Sequence, residues 1–433
     1  MNSHVVIGID IGMETHQYQI SDAEQVFSKG KIPNSREGGN KLLSKINEAA
    51  KGREIIVGME ATNNYHLCLQ HFLEKRGLNV VAINPLKTSA YKNIDDYGNK
   101  SDPIDANGIC QFLLDGKHKS IKKPVQRYHL LKELCRCWLK LQGDMTGAVL
   151  RLRSRLIIIN PEFEQYFSNS SCPSGLYMME KYLLPEKIEQ LDVEKLQQEL
   201  DQIAGGLGKK DTAKRIVHLA KESFGIRENI DGYIRYVQYH LDEVKFLRQQ
   251  VLDIKREIRQ EARKEEVQKE LKYVNSIKGV GEEVAAGLLA EIGTFDNFGK
   301  ISSIVRFAGL TVLQNQSGKK VGRGIMSKQG SPQLRCYLYQ AAMGAKLHSA
   351  TFAAVYANRN LQSKDLSLMD RKIAKAKALA NIARRILETV FICVKKKRLF
   401  NDQIAFESLK LDTFVRETIA VQFKRQLAQA AVQ

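Results

Sequence analysis

Residues 4–116 alternate strand-like runs with stretches of helical periodicity, and this alternation constrains the fold more than any other feature of the sequence. The strand-like runs, rich in apolar and β-branched residues, are VVIGIDIG, QYQIS, EIIVGME and NVVAIN. Helical patterns lie around residues 37–51, 63–77 and 103–116. The first strands are close enough to pair as an antiparallel hairpin, whereas the later ones are reached through helices. We therefore predict an α/β domain with a mixed sheet.

The rest of the chain has mostly helical patterns and divides into segments of different composition. Residues 125–159 are helical and basic, residues 160–178 contain the Pro, Ser, Asn and Gly typical of a linker, and residues 184–272 are charged and helical. The order of elements at the start fits a ribonuclease-H-like domain. We predict four parts: this domain over 1–120, a helical, coiled-coil region over 121–272, a mostly helical domain over 273–398, and a tail over 399–433.

The segment 184–272 has the pattern of a helical stalk. Its apolar residues recur at steps of three and four, which places them on one helix face. This spacing suits a coiled coil or helical hairpin that contacts another subunit, and it suits equally well an ordinary bundle face within one chain. The residues on this face are Val237, Leu241, Val244, Leu247, Val251, Ile254 and Ile258.

The charge balance points to a polyanionic partner. The 433 residues include 67 Lys and Arg against 48 Asp and Glu, a formal net charge of +19. A basic surface attracts phosphates, so nucleic acid is the partner that we expect. A basic membrane binder is the alternative, but no apolar run reaches transmembrane length and residues 1–8 lack the layout of a signal peptide. We therefore expect a cytoplasmic protein without membrane contact.

Four acidic residues near the start of the chain form a candidate metal site. Asp10 ends the apolar run VVIGID, Glu60 ends EIIVGME, and KSDPIDA supplies Asp102 and Asp105 three positions apart on a helix. Buried carboxylates are costly unless a cation neutralises them. Mg²⁺ prefers oxygen ligands and supports phosphodiester chemistry. The sequence therefore predicts a magnesium-dependent phosphoryl-transfer site.

Each of these acids also has a structural interpretation. Asp102 precedes Pro103 and suits a helix N-cap, while Asp105 suits a solvated surface. The sequence GIDIG around Asp10 also resembles the first phosphate loop of sugar kinases and other actin-fold ATPases. That interpretation is disfavoured, because the sequence contains no second Asp-Gly phosphate loop or Gly-rich adenosine segment and the chain is strongly basic.

Two motifs in residues 273–398 suit contact with nucleic acid. SIKGVGEEVAAGLL has the form of a helix-hairpin-helix element, in which backbone N–H groups near Gly279 and Gly281 meet a DNA phosphate. The alternative is that these glycines only cap and connect two helices. Downstream, a Gly-, Ser- and Lys-rich loop carries Ser317 in QSGKK and Ser327 in MSKQG. Either hydroxyl could attack a phosphate once a base or metal activates it, or both serines could serve only as caps or phosphate contacts.

The order of these motifs resembles that of the DEDD-type insertion-sequence transposases related to the Piv DNA invertase. The resemblance covers most of residues 4–117 and 273–395. It implies a RuvC-like domain, similar to Holliday-junction resolvases, whose four acids bind Mg²⁺, joined through helices to a transposase domain with a serine nucleophile. By motif position that serine is Ser317, with Ser327 in reserve. The motifs that carry the resemblance are Asp10, Glu60, Asp102, Asp105, GVG, QSG and SKQGSPQLRCYLYQAA.

The resemblance also implies partners. They are donor and target DNA, a bridge RNA that pairs with both DNAs, and further copies of the chain in a dimer or tetramer. The residues expected to contact nucleic acid are Gly279, Gly281, Lys319, Lys320, Arg323, Lys328 and Arg335.

We therefore expect a DNA transposase or recombinase that exchanges strands through a transient phosphoester between Ser317 and DNA. Two rival functions remain open. A RuvC-like, structure-selective nuclease would cut with the acids and water, and would use the rear domain only for binding. A non-catalytic nucleic-acid-binding protein would need neither metal nor serine.

Overall fold

The chain forms two compact units, unit 1 over residues 1–124 and unit 2 over residues 125–433. The computed structural model describes residues 4–61, 64–83, 88, 102–117, 126–167, 169–205, 211–313, 316–317, 320–321, 325–361, 367–411 and 413–430. For some residues within these ranges, including Asp102 and Ser317, only the backbone is described. Across the described ranges, no helix combines the length and the apolar character that a membrane span requires.

Unit 1 contains a mixed five-stranded sheet. Its strands are β1 (Val5–Ile11), β2 (Thr15–Ser21), β3 (Val26–Pro33), β4 (Ile55–Glu60) and β5 (Asn79–Ile83). The order is β3-β2-β1-β4-β5, with antiparallel pairing from β1 to β3 and parallel pairing of β1 with β4 and of β4 with β5. The four predicted strands are confirmed. The sequence misses β3, a largely exposed edge strand without an apolar alternation.

Helices cover both faces of this sheet, and they lie close to the three predicted segments. They are α1 (Arg36–Ala50), α2 (His66–Glu74) and α3 (Asp102–Leu114). Leu42 of α1 and Leu73 of α2 share a buried cluster with Ile7 of β1. On the opposite face, Leu113 of α3 shares a second buried cluster with Val6. Because alternate residues of β1 enter opposite clusters, the central strand is covered on both sides, as parallel strands require.

Unit 2 is mostly helical, as the sequence predicts. Its helices are α4 (His129–Ile159), α5 (Phe163–Tyr166), α6 (Pro173–Lys181), α7 (Pro185–Ile188), α8 (Val193–Ile203), α9 (Thr212–Lys221), α10 (Asp231–Ala262), α11 (Glu265–Asn275), α12 (Glu282–Ile292), α13 (Ile301–Phe307), α14 (Pro332–His348), α15 (Ala350–Leu361), α16 (Leu368–Lys395), α17 (Asp402–Glu407) and α18 (Thr413–Ala430).

The long helices α4 and α10 pack as an antiparallel pair. Near one end, Arg151 Nη2 lies 2.5 Å from Glu243 Oε1, and towards the other, Lys255 Nζ lies 5.6 Å from the Trp138 ring centre. The apolar stripe of the predicted stalk is therefore buried largely within the chain, as the bundle-face alternative predicts. Its buried members are Val237, Leu241, Val244, Val251, Ile254 and Ile258.

The segment 160–178 is a correction to the sequence analysis, because it packs as part of the fold instead of forming a linker. It contains α5 and the start of α6, and Phe163 and Tyr166 are fully buried. These two side chains belong to a cluster that also contains Leu152 of α4 and Leu241 of α10. A larger cluster joins α4, α10 and α11 to α12–α16. The predicted borders at residues 120, 272 and 398 stay predictions about separable domains.

The predicted Gly-, Ser- and Lys-rich loop contains paired strands. They are β6 (Val312–Leu313), β7 (Gln316–Ser317), β8 (Lys320–Val321) and β9 (Ile325–Met326). β6 pairs antiparallel with β9, and β7 with β8. The two pairs are nested in sequence, and we call their eight described residues (312–313, 316–317, 320–321 and 325–326) the serine hairpin. The sequence analysis predicts a loop here and misses these four short strands.

Candidate active site

Asp10 and Glu60 lie side by side at the same edge of the sheet. β1 and β4 are parallel, and Ile9 pairs with Met59, so the next residues on the two strands are Asp10 and Glu60. Neighbouring strands are about 4.8 Å apart, and residues at matching positions point to the same face. The Glu60 side chain is only 4% exposed. The backbone therefore brings Asp10 and Glu60 to adjacent positions of neighbouring strands.

Helix α3 brings the other two predicted acids towards this edge. A Cβ added to Gly8 would lie 2.2 Å from the Ala106 carbonyl oxygen, so α3 rests directly on the face that β1 residues 8 and 10 share. Later α3 residues pack near Val6, so α3 runs opposite to β1. Its first turn, with Asp102 and Asp105, therefore lies towards the Asp10 end. Asp105 is half-buried, and the Asp102 side chain lies outside the described residues.

The donor atoms of this edge match Mg²⁺ in type. Carboxylate oxygens are hard ligands of the kind that Mg²⁺ prefers, and the buried position of Glu60 makes a neutralising cation favourable. Among the side chains that the structure describes, no three Asp, Glu, His or Cys residues are grouped closely enough to hold a metal ion. Since the Asp102 side chain is outside that set, the four-acid magnesium site stays a prediction.

The structure adds two neighbours of these acids that the sequence analysis misses. The hydroxyl of Thr88, which is fully buried, donates a hydrogen bond to Glu60 Oε1. Gln17 of β2 pairs with Asp10 across the antiparallel ladder, so their side chains share one face. The hairpin register could have indicated Gln17. Nothing in the local sequence indicates Thr88, because its contact is made through tertiary structure.

Ser317 lies in the last described residue pair before the tip of the serine hairpin. It pairs with Lys320 across the ladder. Only the backbone of Ser317 and Lys320 is described, and Lys319 and Arg323 lie outside the described residues. The ladder therefore places the backbone of Ser317 opposite that of one predicted cation, Lys320.

The base of the serine hairpin is held by backbone bonds and by Arg335. The N–H of Ser327 donates to the Thr311 carbonyl oxygen at 2.8 Å, so this reserve nucleophile sits at the base and not at the tip. Arg335 Nη1 donates to the carbonyl oxygens of Ala308 (3.2 Å) and Gly330 (3.1 Å). Exposed Lys328 has a φ of 53°. Arg335 thus links the segment before the hairpin to the segment after it. Phosphate contact by Arg335 and by Lys328 stays a prediction.

A buried carboxylate ties this base to the helical core. Glu291 of α12 has a side chain only 2% exposed, and its Oε1 lies 2.6 Å from Arg136 Nε of α4. Ser331, the N-cap of α14, donates its hydroxyl to Glu291 Oε2 at 3.2 Å. The hydrogen bonds with Glu291 raise the pKa of Arg136 above its usual range. The segment after the hairpin is therefore anchored through charge-assisted bonds.

The GVG motif forms the turn between α11 and α12, as a helix-hairpin-helix element requires. Gly279 has a φ of 85°, and a Cβ there would lie 2.4 Å from the Gly344 carbonyl oxygen. Gly281 is the N-cap of α12. Left-handed geometry and the close helix approach together explain Gly279 as a connector. Phosphate contact by Gly279 and Gly281 stays a prediction.

Comparisons with known proteins give matches at the acidic edge and at the serine hairpin. A family model described as "Transposase" matches residues 7–161, which include the acidic edge. A second, described as "Transposase IS116/IS110/IS902 family", matches residues 271–357, which include the serine hairpin. The "Insertion element IS116 uncharacterized 44.8 kDa protein" of Streptomyces clavuligerus is 22% identical over 407 residues, covering 92% of this chain and 96% of that protein. The chain therefore belongs to the IS110/IS116 family of insertion-sequence transposases.

Proposed function

We propose that this transposase cuts and rejoins DNA through a serine–DNA phosphoester, using the acids of a ribonuclease-H-like unit 1 and Ser317 of unit 2. The observation that carries the proposal is the placement of Asp10 and Glu60 at adjacent positions of two parallel strands, with the first turn of α3 above them. The family supplies the substrate, because insertion-sequence transposases act on DNA.

The acids contribute a negatively charged edge that can hold divalent cations. Asp10, Glu60, Asp102 and Asp105 are the residues that would hold Mg²⁺ there. When bound, Mg²⁺ supplies Lewis-acid polarisation of a phosphate oxygen and charge stabilisation in phosphoryl transfer. Thr88 keeps the Glu60 carboxylate in place by its hydrogen bond. Gln17, which shares the Asp10 face, can donate an amide hydrogen bond to a nearby oxygen.

The serine step conserves phosphodiester bonds. Ser317 Oγ attacks phosphorus and forms an O–P bond, while the bond from phosphorus to one bridging oxygen of the strand breaks. The leaving deoxyribose oxygen takes up a proton, and the serine hydroxyl loses one. Attack by a hydroxyl of another strand reverses these changes and frees Ser317. No external energy source is needed, because one phosphoester replaces another at each step.

The remaining parts of the proposal concern partners. A net charge of +19 suits simultaneous contact with DNA and a bridge RNA, with sequence choice delegated to base pairing. We also propose that the protein acts as a dimer or tetramer. The predicted contacts of Lys319, Lys320 and Arg323 with phosphates belong to this proposal, and Lys320 pairs with Ser317 in the ladder.

Covalent trapping tests the serine step and the acids together. The full chain is incubated with Mg²⁺, a branched DNA that carries the element's junction, and RNA from the element's flanks, and the products are then denatured and separated. Wild type should give a covalent protein–DNA band, and Ser317→Ala should give none. Glu60→Gln keeps the side-chain size and an oxygen that can accept the Thr88 bond, so it should lower the yield by on the order of 100-fold or more through charge alone.

The outcomes separate the proposal from its rivals. Cut DNA without a covalent band, in wild type and in Ser317→Ala alike, would support a nuclease that uses water. Tight, salt-sensitive binding without cutting or trapping would support a binding protein. A band that survives Ser317→Ala but disappears in Ser327→Ala would move the nucleophile to the base of the hairpin.

A further inference from the structure

Helix α16 consists of two parts that differ in their surroundings. From Ala378 onward, buried residues recur with helical spacing, and they include Ile382 and Ile386. From Met369 to Lys377, every residue is exposed except half-buried Ala374. The first turns of this helix therefore extend beyond the core to which its second half is fixed. We call residues 369–377 the projecting helix.

The projecting helix is basic and has an apolar centre. It contains four basic residues and one acidic residue, and that acid, Asp370, accepts a hydrogen bond from the hydroxyl of the N-cap Ser367 at 2.7 Å. Met369 and Ile373 are 67% and 42% exposed, and their four-residue spacing places them on one face with Ala376. Helical spacing places lysines on both sides of this face. The basic residues are Arg371, Lys372, Lys375 and Lys377.

We propose that the projecting helix binds duplex DNA by entering its major groove, with Met369, Ile373 and Ala376 towards the base edges and the lysines towards the two phosphate backbones. Cations flanking an apolar centre match this environment, because the groove has thymine methyl groups at its floor and phosphates at its rims. The proposal needs only that the family acts on DNA, and it does not depend on the serine chemistry.

The dimensions favour DNA over duplex RNA. Nine helical residues span about 13 Å, and a helix with side chains is about 10–12 Å wide. The major groove of B-DNA is about 12 Å wide and admits a helix, whereas the deep, narrow major groove of A-form RNA does not. Exposure around nearly the whole circumference is what groove entry requires, since walls of the groove lie on both sides of the helix.

The charge of the projecting helix disfavours a second copy of the same surface as its occupant. Two such helices would bring like charges together, which is unfavourable. The exposed apolar side chains, Met369 and Ile373, cover about two turns, and a stable interface buries roughly 800 Å² on each partner. DNA provides phosphates for the cations and requires only a small apolar contact.

The test compares two variants with the same loss of charge. The first is R371Q/K372Q/K375Q/K377Q, in which glutamine preserves helix propensity. The control is K41Q/K140Q/R256Q/K269Q, which removes four cations from exposed helix positions that form local ion pairs. Binding of the full chain to a 40-base-pair DNA duplex and to an RNA duplex of the same sequence is measured by fluorescence anisotropy over a salt series. Circular dichroism checks that both variants fold.

The first variant should bind the DNA duplex about 10-fold or more weakly, with its salt slope reduced by about 3 to 4 if all four cations contact phosphates. The control should stay near wild type. Methyl green, a major-groove ligand, should compete with wild type more strongly than netropsin, a minor-groove ligand. Equal losses in both variants, or a loss confined to RNA, would overturn the proposal. A changed sedimentation coefficient with unchanged DNA affinity would assign the helix to contact between copies and would overturn it as well.

Discussion

The acidic edge of unit 1 and the serine hairpin of unit 2 obtain their positions in different ways. Asp10 and Glu60 sit at the ends of regular strands whose neighbours are buried on both faces, so close packing of the sheet fixes them. Ser317 sits on strands of two residues, and polar bonds around Arg335 and Glu291 fix the base of its hairpin. We therefore expect packing changes to displace the acids, and the loss of charge-assisted bonds to displace the serine.

Two glycine substitutions test the packing side of this comparison and carry the largest expected effect. In Gly8→Ala the new Cβ would meet the Ala106 carbonyl oxygen at 2.2 Å, so α3 must shift as a body. In Gly58→Ala the nearest atoms are methyl groups of buried side chains at 3.0 Å, with no backbone atom among them. We expect Gly8→Ala to lower the free energy of unfolding of unit 1 by about 3 kcal/mol or more, and Gly58→Ala by about 1 kcal/mol.

Hydrogen exchange of β1 and α3 peptides in the full chain measures both substitutions. Faster exchange in these peptides, with unit 2 unchanged, is the expected result for Gly8→Ala. Equal losses for the two variants would show that α3 can move away from the sheet as readily as a side chain rotates. The close approach at Gly8 would then not fix the first turn of α3.

The sequence predicts the acidic edge better than the serine hairpin, and the reason is physical. Buried strands and helices leave a periodic apolar pattern, so the elements carrying Asp10 and Glu60 can be read from the chain. A strand of two residues has no period to detect, so β7 is read as a loop. The contact of Thr88 with Glu60 depends on tertiary structure, and local patterns do not encode it.

One further error has the same origin. The segment 160–178 has linker composition, yet Phe163 and Tyr166 are buried against helices distant in sequence. Because polar residues lie between the two aromatic residues, the segment has no periodic apolar pattern that would predict their burial. The stripe on α10 is a complementary case, because its period predicts a buried face and cannot tell whether the partner helix belongs to the same chain.

Glu291 bonds with Arg136 and Ser331, and we call these bonds the polar brace. Removing its one negative charge tests the other side of the comparison. Glu291→Gln removes the carboxylate that pairs with Arg136 and weakens the hydrogen bond from Ser331. The Glu291 side chain is almost fully buried, while that of Arg136 is 38% exposed and can partly rehydrate. We therefore expect unit 2 to lose about 2 kcal/mol of unfolding free energy, less than a fully buried pair would cost. Denaturant unfolding followed by Trp138 fluorescence measures this loss.

Ser331→Ala is the matched variant for the brace, because it removes the α14 cap and its bond to Glu291 but leaves the ion pair. It should cost about 1 kcal/mol. Both variants should lower the yield of covalent protein–DNA product more than they lower DNA affinity, since the brace positions the hairpin that carries Ser317. Parallel falls in yield and affinity would indicate that Glu291 stabilises unit 2 without positioning the serine.

The pH dependence of stability should also separate the two units. His16 of β2 is 1% exposed, and burial lowers its pKa below the usual 6.5, although polar groups of Asn34 and Gly12 act in the opposite direction. Below pH 6.5 the unfolded chain gains a proton that folded unit 1 excludes. Stability is therefore fully present above that pH and falls as the pH drops towards the folded pKa, by at most about 1.4 kcal/mol per pH unit.

His16→Leu should flatten this slope, because it removes the proton that only the unfolded chain binds. His218→Gln, at an exposed position of α9, should leave the slope unchanged. Hydrogen exchange of β1 and β2 between pH 7 and pH 5, corrected for intrinsic exchange rates, reports unit 1 separately from unit 2. A slope that persists in His16→Leu would show that burial of His16 is not the source of the acid sensitivity of unit 1.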